Sequence, residues 1–451
     1  MPGKETTETT VLVDNEPLPA PTSGFSKSIL KRFVVNVASL FSVQVANFLL
    51  PLLTVPYVVR IIGPERLGLL NFSLAYVTYF SLIINYGFDL AAVRAIAANR
   101  YDKEATSRVY SEVMAGKVLL WCLSTIIFAG VTFGAPTFRE HWLLHLCTYV
   151  TCISTVLSPF WVYQAMEDLG RVAMFNLLVK LLFTGAIFLV IHQPDDYVWQ
   201  NLVLSISQVL INAIALGVAA KRFGIRFYWP SVVHLVARFK ADATLFFSNV
   251  MITLYASSTV FFLGILSTAY AVGLYSAGTR LEGVALSFVT MALNQALFPI
   301  IANAFGQGRK SGLQMVRSVF WPLLGGLSVV SAGLWIIAPW FIPFFFGADF
   351  VGAVSVLRVV ALLPLVIGMS NLLGIHTMLN LRMDRPFFVI TAIGSVLGLG
   401  LNIVLIRQYG HLGAAWAWVG TEVYVLLAMG GYLLVKSKEW TPEPAAELEN
   451  Y

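Results

Sequence analysis

Apolar runs of about twenty or more residues, each closed by a short polar turn, recur from residue 33 to residue 435. The first, 33–57, carries no charge, and at ~1.5 Å per helical residue it exceeds the ~30 Å of a bilayer's hydrocarbon. The turn Arg60-Ile61-Ile62-Gly63-Pro64-Glu65-Arg66-Leu67-Gly68 sends the chain back through a second run, 69–88. Further runs lie at 109–133, 142–165, 172–192, 198–219, 243–266, 275–304, 320–346, 353–378, 387–406 and 413–435. A polar thread runs inside the first: Asn36, Gln44, Asn47 and Thr54 are spaced by eight, three and seven, which is one face of a helix. Amides without partners in hydrocarbon cost free energy, so that face is expected to meet other helices or water. Asn71, Thr78, Asn85 and Asp89 make a similar thread on the second run, Asp242, Asn249, Thr253 and Ser257 on the seventh, and Arg280, Ser287 and Asn294 on the eighth. The pattern predicts an all-α polytopic membrane protein of about twelve transmembrane helices, with the first, second, seventh and eighth lining one central cavity.

The two halves of the chain correspond. Gly68-Leu69-Leu70-Asn71-Phe72-Ser73 follows the turn after the first run, and Gly273-Leu274-Tyr275-Ser276-Ala277-Gly278 follows the turn after the seventh, 205 residues later. At the same offset Gln44 meets Asn249 and Asn85 meets Thr290. Six runs plus six is the arrangement of internally duplicated transporters, here in parallel orientation because both halves start on the same side. The domains expected are a six-helix lobe at 28–227, a second at 228–438, and disordered cytoplasmic tails at 1–27 and 439–451.

Composition closes off other classes. Of 451 residues, 58% are hydrophobic and only 12% charged, more apolar surface than a soluble core can hide. The net charge of +6 does not read as a nucleic-acid footprint, because the Lys and Arg residues are spread over short turns. With the N-terminus inside, they favour cytoplasmic turns over outer ones by roughly fourfold, which places both termini in the cytoplasm. Cys122, Cys147 and Cys152 all sit in apolar runs without metal-ligand spacing. No metal or cofactor is expected.

Ionisable residues inside spans mark candidate chemistry. Lys117, Lys180 and Arg280 are cations surrounded by apolar sequence, and such groups normally face a bundle interior on a substrate or ion route. They are expected to receive an anionic headgroup by charge-assisted hydrogen bonds, with Gln44, Asn47, Asn85, Asn249 and Asn294 as polar lining. The competing reading is internal pairing, Lys117 with Glu112 or Arg280 with Glu282, against which stand the poor i,i+5 and i,i+2 spacings. Glu422, isolated in the last span, and Glu112 are candidates for ion coupling. Catalytic signatures are missing: His141 and His145 lack the intervening Glu of a zinc protease helix, no phosphate-binding Gly-rich loop occurs, and Asp195 and Asp196 read as solvating an outer turn. The chain is not expected to be an enzyme.

Four stretches carry a resemblance. The turn 60–68 after an Asn-containing first span resembles that of the polysaccharide-biosynthesis flippases in the multidrug/oligosaccharidyl-lipid/polysaccharide exporter superfamily. Trp161-Val162-Tyr163-Gln164-Ala165-Met166-Glu167 is similar to their Trp-x-x-Gln-Gly-x-Glu signature, with Ala165 in place of Gly. Gly273-Leu274-Tyr275-Ser276 resembles their second-half Val-Gly-x-Tyr-Ser motif, and Gly410-His411-Leu412-Gly413-Ala414-Ala415-Trp416 with Glu422 resembles the closing one. The resemblance implies a bacterial inner-membrane flippase that carries undecaprenyl-diphosphate-linked O-antigen or exopolysaccharide repeat units to the periplasmic leaflet by alternating access. It implies membrane lipid, proton or sodium coupling, and polysaccharide polymerase or chain-length proteins as partners. An ion-coupled multidrug exporter of the superfamily, a lipid II flippase and a membrane glycan polymerase are the alternatives. No acid stands in the first span, so a proton scheme built on one there does not apply.

Overall fold

Each apolar run becomes a helix, because in hydrocarbon only a helix satisfies its own backbone N–H and C=O groups. The computed structural model describes residues 27–98 and 100–437, and every regular element among them is helical. The two expected tails, Lys27 apart, lie outside the described residues, as do the side chains of Asn36, Gln44, Asn47 and Ser257. The chain divides after Ala46 into two units: the described part of the first is helical from Lys27, and the second begins at Asn47.

Helices α1 (27–62) and α2 (64–85) are separated at Gly63, whose φ of 73° and ψ of 176° no helix holds. After Gly87, α2 continues as an extension, Phe88–Ala98. Then come α3 (Lys103–Gly134), α4 (Trp142–Ala165, in three pieces), α5 (Leu169–Val190), α6 (Tyr197–Phe223) and α7 (Val232–Leu266). The series continues with α8 (Ala269–Gly306), α9 (Arg309–Phe346) and α10 (Ala353–Met378), and ends with α11 (384–409) and α12 (411–437), which part at Gly410. Asp102, Ser231 and Thr268 cap the starts of α3, α7 and α8 with their side-chain oxygens. Each expected run coincides with one of these helices, several of which start earlier or end later than the run itself.

Hydrophobicity is distributed as a bilayer demands. Ile126 on α3 is 72% exposed and Leu189 on α5 79% exposed, whereas Lys117, Ser124, Ser205 and Glu282 are fully buried. The molecule is a polytopic, all-α membrane protein.

Packing within 88–223 joins the α2 extension to α3 and α4, and α6 to α4 and α5. Within 232–437, α7 packs on the α11/α12 pair, α8 on α10, and α10 on α9 and the α11/α12 pair. The arrangement fits two halves related by the 205-residue offset. Ser73 donates to Thr148 at 2.7 Å, and at the shifted positions Gly278 lies against the carbonyl of Ala353.

Candidate functional site: a cation-lined cavity

A cavity of about 330 Å³ opens among α1, α2, α5, α6 and α8, with Phe346 of α9 at its edge. Lys180 enters from α5 and Arg280 from α8. Arg280 is exposed although it lies within a span, because it opens onto this space, and no salt bridge engages it among the described residues. No Asp or Glu lines the cavity among the described residues. Two like charges facing one small void repel each other, and an anion between them relieves that repulsion.

The rest of the wall is polar in selected places. Asn201 donates its amide to the Leu70 carbonyl at 3.2 Å and to the Thr148 hydroxyl at 2.9 Å, which fixes the side chain and leaves its Oδ1 unpartnered. Gln200 Oε1 and Ser276 Oγ are also buried without a hydrogen-bond partner. Thr54, Asn71 and Thr184 add further polar groups, while Val58, Val59, Phe183 and Leu204 supply apolar wall. Buried polar atoms normally find partners, so three unpartnered ones on a cation-bearing wall form a site ready for a polar guest.

Two close contacts join α2 and its extension to the second half of the chain. At the first rim the start of α2 lies backbone against backbone on the start of α8. A Cβ on Gly68 would sit 1.7 Å from the Ala269 carbonyl oxygen, and one on Gly273 1.8 Å from that of Pro64. Only glycine permits such an approach. Here positions related by the 205-residue offset meet each other, as they do on a pseudo-twofold axis. Arg60, at the end of α1, donates to the carbonyl of Phe344 on α9 across the same rim. At the second rim Tyr86 stacks on Phe246 of α7, with ring centroids 4.5 Å apart, and Phe239 of α7 meets both Tyr86 and Phe88. Tyr86 and Gly87 both hold positive φ, 48° and 80°, and this bend aims the aromatic pair at α7.

The predicted residues separate into distinct places. Arg280 and Lys180 share the cavity. Lys117 does not reach it: its ammonium lies 2.7 Å from Asp89 and 3.4 Å from the Thr155 carbonyl, fully buried. This corrects its assignment as a headgroup ligand, and also the alternative pairing with Glu112, because the partner comes from another helix. Asn85 donates to the same Asp89 at 3.1 Å. Asn249, Asn294 and Glu112 do not line the cavity, and among the described residues α7 contributes none of its wall; α5 and α6 take that place. Glu422 is buried on α12, away from the cavity and near Glu282. His145 and Trp161 are both buried: His145 bonds Ser73 at 3.0 Å, and Trp161 stacks on Tyr110. Glu167, at the end of the same motif, pairs with Arg100 at 2.8 Å. Sequence reasoning passed over Gln200, Asn201 and Ser276. The signal available was an adjacent Gln-Asn pair opening an apolar span.

The family described as polysaccharide biosynthesis protein matches residues 33–305, more than half of the chain and all of the helices that line the cavity up to Arg280. The chain belongs to this family. Two curated members, each named "Putative O-antigen transporter", are similar over almost their whole length. The one from Escherichia coli K12 is 28% identical over 87% of this chain and 95% of its own, and the one from Shigella dysenteriae 24% identical over 87% and 98%. Among solved structures, the lipid II flippase MurJ in an inward closed conformation superposes with a TM-score of 0.66, at 13% identity over 91% of this chain and 88% of its own. An inward-facing MATE-family multidrug resistance transporter of the MOP superfamily superposes with a TM-score of 0.64, at 16% identity over 86% and 94%. This polysaccharide-biosynthesis family member therefore has the fold of those transporters. The proteins it matches are transporters and flippases rather than enzymes.

Proposed function

We propose that the chain is a transporter of polysaccharide biosynthesis that flips an undecaprenyl-diphosphate-linked O-antigen or exopolysaccharide repeat unit across the bacterial inner membrane. The observation that carries this reading is the cavity lined by Lys180 and Arg280 with no acidic residue among its described lining. A diphosphate cannot cross hydrocarbon bare, and guanidinium and ammonium groups replace its hydration by charge-assisted hydrogen bonds. The same lining disfavours cationic drugs. At about 330 Å³ the cavity suits a headgroup; a full repeat unit needs more room. The prenyl tail stays in lipid throughout.

In this reading the lobes 28–227 and 228–438 rock about the cavity, with the Gly68–Gly273 rim periplasmic, the Tyr86–Phe246 rim cytoplasmic and both termini in the cytoplasm. Each phosphate contact is worth ~1.5–3 kcal/mol, and 1.4 kcal/mol is tenfold. Reversing the charge in Arg280→Glu or Lys180→Glu is therefore expected to lower glycan export at least about tenfold, with the protein still in the membrane. Surface polysaccharide at wild-type level in both variants rejects the anion site.

A further inference from the structure

We propose that a second pocket, beside the α2–α8 contact and apart from the cation-lined cavity, is a carbohydrate subsite that holds a sugar ring of the transported glycan. It encloses about 420 Å³ between the start of α2, the connection from α3 to α4 and the turn from α7 to α8. Among the described residues, none that lines it also lines the cavity. Leu67, Asn71 and Leu74 of α2 face the cavity, whereas Leu69 and Phe72 face the pocket, and at ~3.6 residues per turn the two sets lie on opposite faces. Helix α2 therefore stands between the two sites. The pocket's apolar floor is fixed by packing. Phe72 is buried and stacks on Phe138 and on Phe261 of α7, with ring centroids 5.7 and 6.0 Å away. It lies so close to Gly264 of α7 that a Cβ there would come within 2.0 Å of the ring.

The lining selects the guest. Thr137, Glu140 and His141 enter from the α3–α4 connection and Ser267 from the α7–α8 turn. Among the described residues none of these four side chains is engaged in a hydrogen bond or salt bridge, so all four are available to a ligand. No Lys or Arg lines the pocket among the described residues, so a phosphate finds no fixed cation here. A metal ion is served no better: Glu140 and His141 are two ligands, and no group of three or more His, Cys, Asp or Glu occurs among the described residues. A sugar ring presents hydroxyls that donate and accept, and a C–H face that prefers apolar contact. Glu140 accepts, the Thr137 and Ser267 hydroxyls do both, His141 offers a ring nitrogen, and Leu69, Phe72 and Val272 give the apolar surface. The position ties the guest to the α2–α8 contact. Leu69 follows Gly68, Val272 precedes Gly273, and Ala269, whose carbonyl lies against Gly68, is itself pocket wall. Three of the polar groups belong to the first half and Ser267 to the second. A ring bonded to both holds the contact together, and by linkage the contact assembles the site.

The subsite rests on the transport reading for the identity of its ligand, and deepens it by giving diphosphate and sugar separate places. The test uses full-length protein with Cys122, Cys147 and Cys152 replaced and one reporter thiol, Pro136→Cys at the pocket or Ser276→Cys in the cavity. The probes are the repeat-unit oligosaccharide released from the host strain's own surface polysaccharide, and pyrophosphate. The oligosaccharide is expected to slow labelling of Pro136→Cys by a membrane-impermeant thiol reagent severalfold. Glu140→Gln is expected to raise the concentration needed about tenfold, the worth of one hydrogen bond to a carboxylate, and Ser267→Ala to raise it severalfold from the other wall. Labelling of Pro136→Cys at one rate with and without oligosaccharide, or protection that neither Glu140→Gln nor Ser267→Ala weakens, overturns the subsite. If pyrophosphate still protects Ser276→Cys in that case, the transport reading stands without it. If the oligosaccharide protects Pro136→Cys through Glu140 while pyrophosphate leaves Ser276→Cys unprotected, the headgroup reading of the cavity falls and the sugar site stands.

Discussion

Lys117 and Arg280 are both cations in apolar sequence, yet one is tied to a carboxylate and the other looks into a void. The difference lies in the neighbouring helix. Asp89, on the α2 extension, sits where Lys117 can reach it, and its side chain is 39% exposed while Lys117 has no exposure. Removing the carboxylate leaves a buried cation with only the long bond to the Thr155 carbonyl, at a cost of roughly 3–5 kcal/mol, whereas removing the Lys leaves an acid that water can reach. Asp89→Asn is thus expected to lower the melting temperature of the purified protein more than Lys117→Met, with the double variant recovering most of the loss. Equal destabilisation by the two single changes counts against this account. Outside the membrane, the hydrogen bond from Arg100 holds the Glu167 carboxyl below the usual carboxylate range. The folded state therefore binds this proton less readily than the unfolded state. The pair's contribution is present in full above the unfolded value of about 4.3 and is lost as pH falls through the lower folded value. Thermal melts of wild type and Arg100→Gln are expected to differ above that window and to converge below it.

At the level of elements, the meeting of α2 and α8 is the contact with the least slack. Any side chain on Gly68 or Gly273 would enter the opposite backbone, where no rotamer change can relieve it. Gly68→Ala and Gly273→Ala are each expected to force the rim apart and raise Ser276→Cys labelling from outside intact cells severalfold. Labelling at the background level in both variants means that this contact does not gate the cavity. The second rim is built differently. It is an aromatic stack beside a two-residue left-handed bend, with side chains that can swing aside, so it should tolerate Tyr86→Leu better than the first rim tolerates alanine.

For the whole molecule, the two expected lobes are joined in sequence by 225–230, which carries no regular structure. If 28–227 and 228–438 are separate folding units, fragments 1–227 and 228–451 expressed together are expected to assemble and restore glycan export to a strain lacking the intact gene. Two stable membrane-inserted fragments without export speak against independent lobes. How much of the molecule was legible beforehand depends on the range of each interaction. Helix number, span limits, the polar turns at Gly63 and Gly410 and the membrane setting are local, because a bilayer imposes length and apolarity on each segment separately. The 205-residue echo was equally legible, since duplicated segments repeat the same local demands. Arg280 and Lys180 could be picked out as costly residues for the same reason. What their neighbours are is another matter. That Lys117 finds Asp89, that α5 and α6 supply cavity wall while α7 supplies none among the described residues, and that Gln200, Asn201 and Ser276 keep unpartnered atoms there are all decided by which helix faces pack together. Hydrophobic periodicity says that a face is polar; only the three-dimensional packing settles whether it meets a partner, water or an empty site.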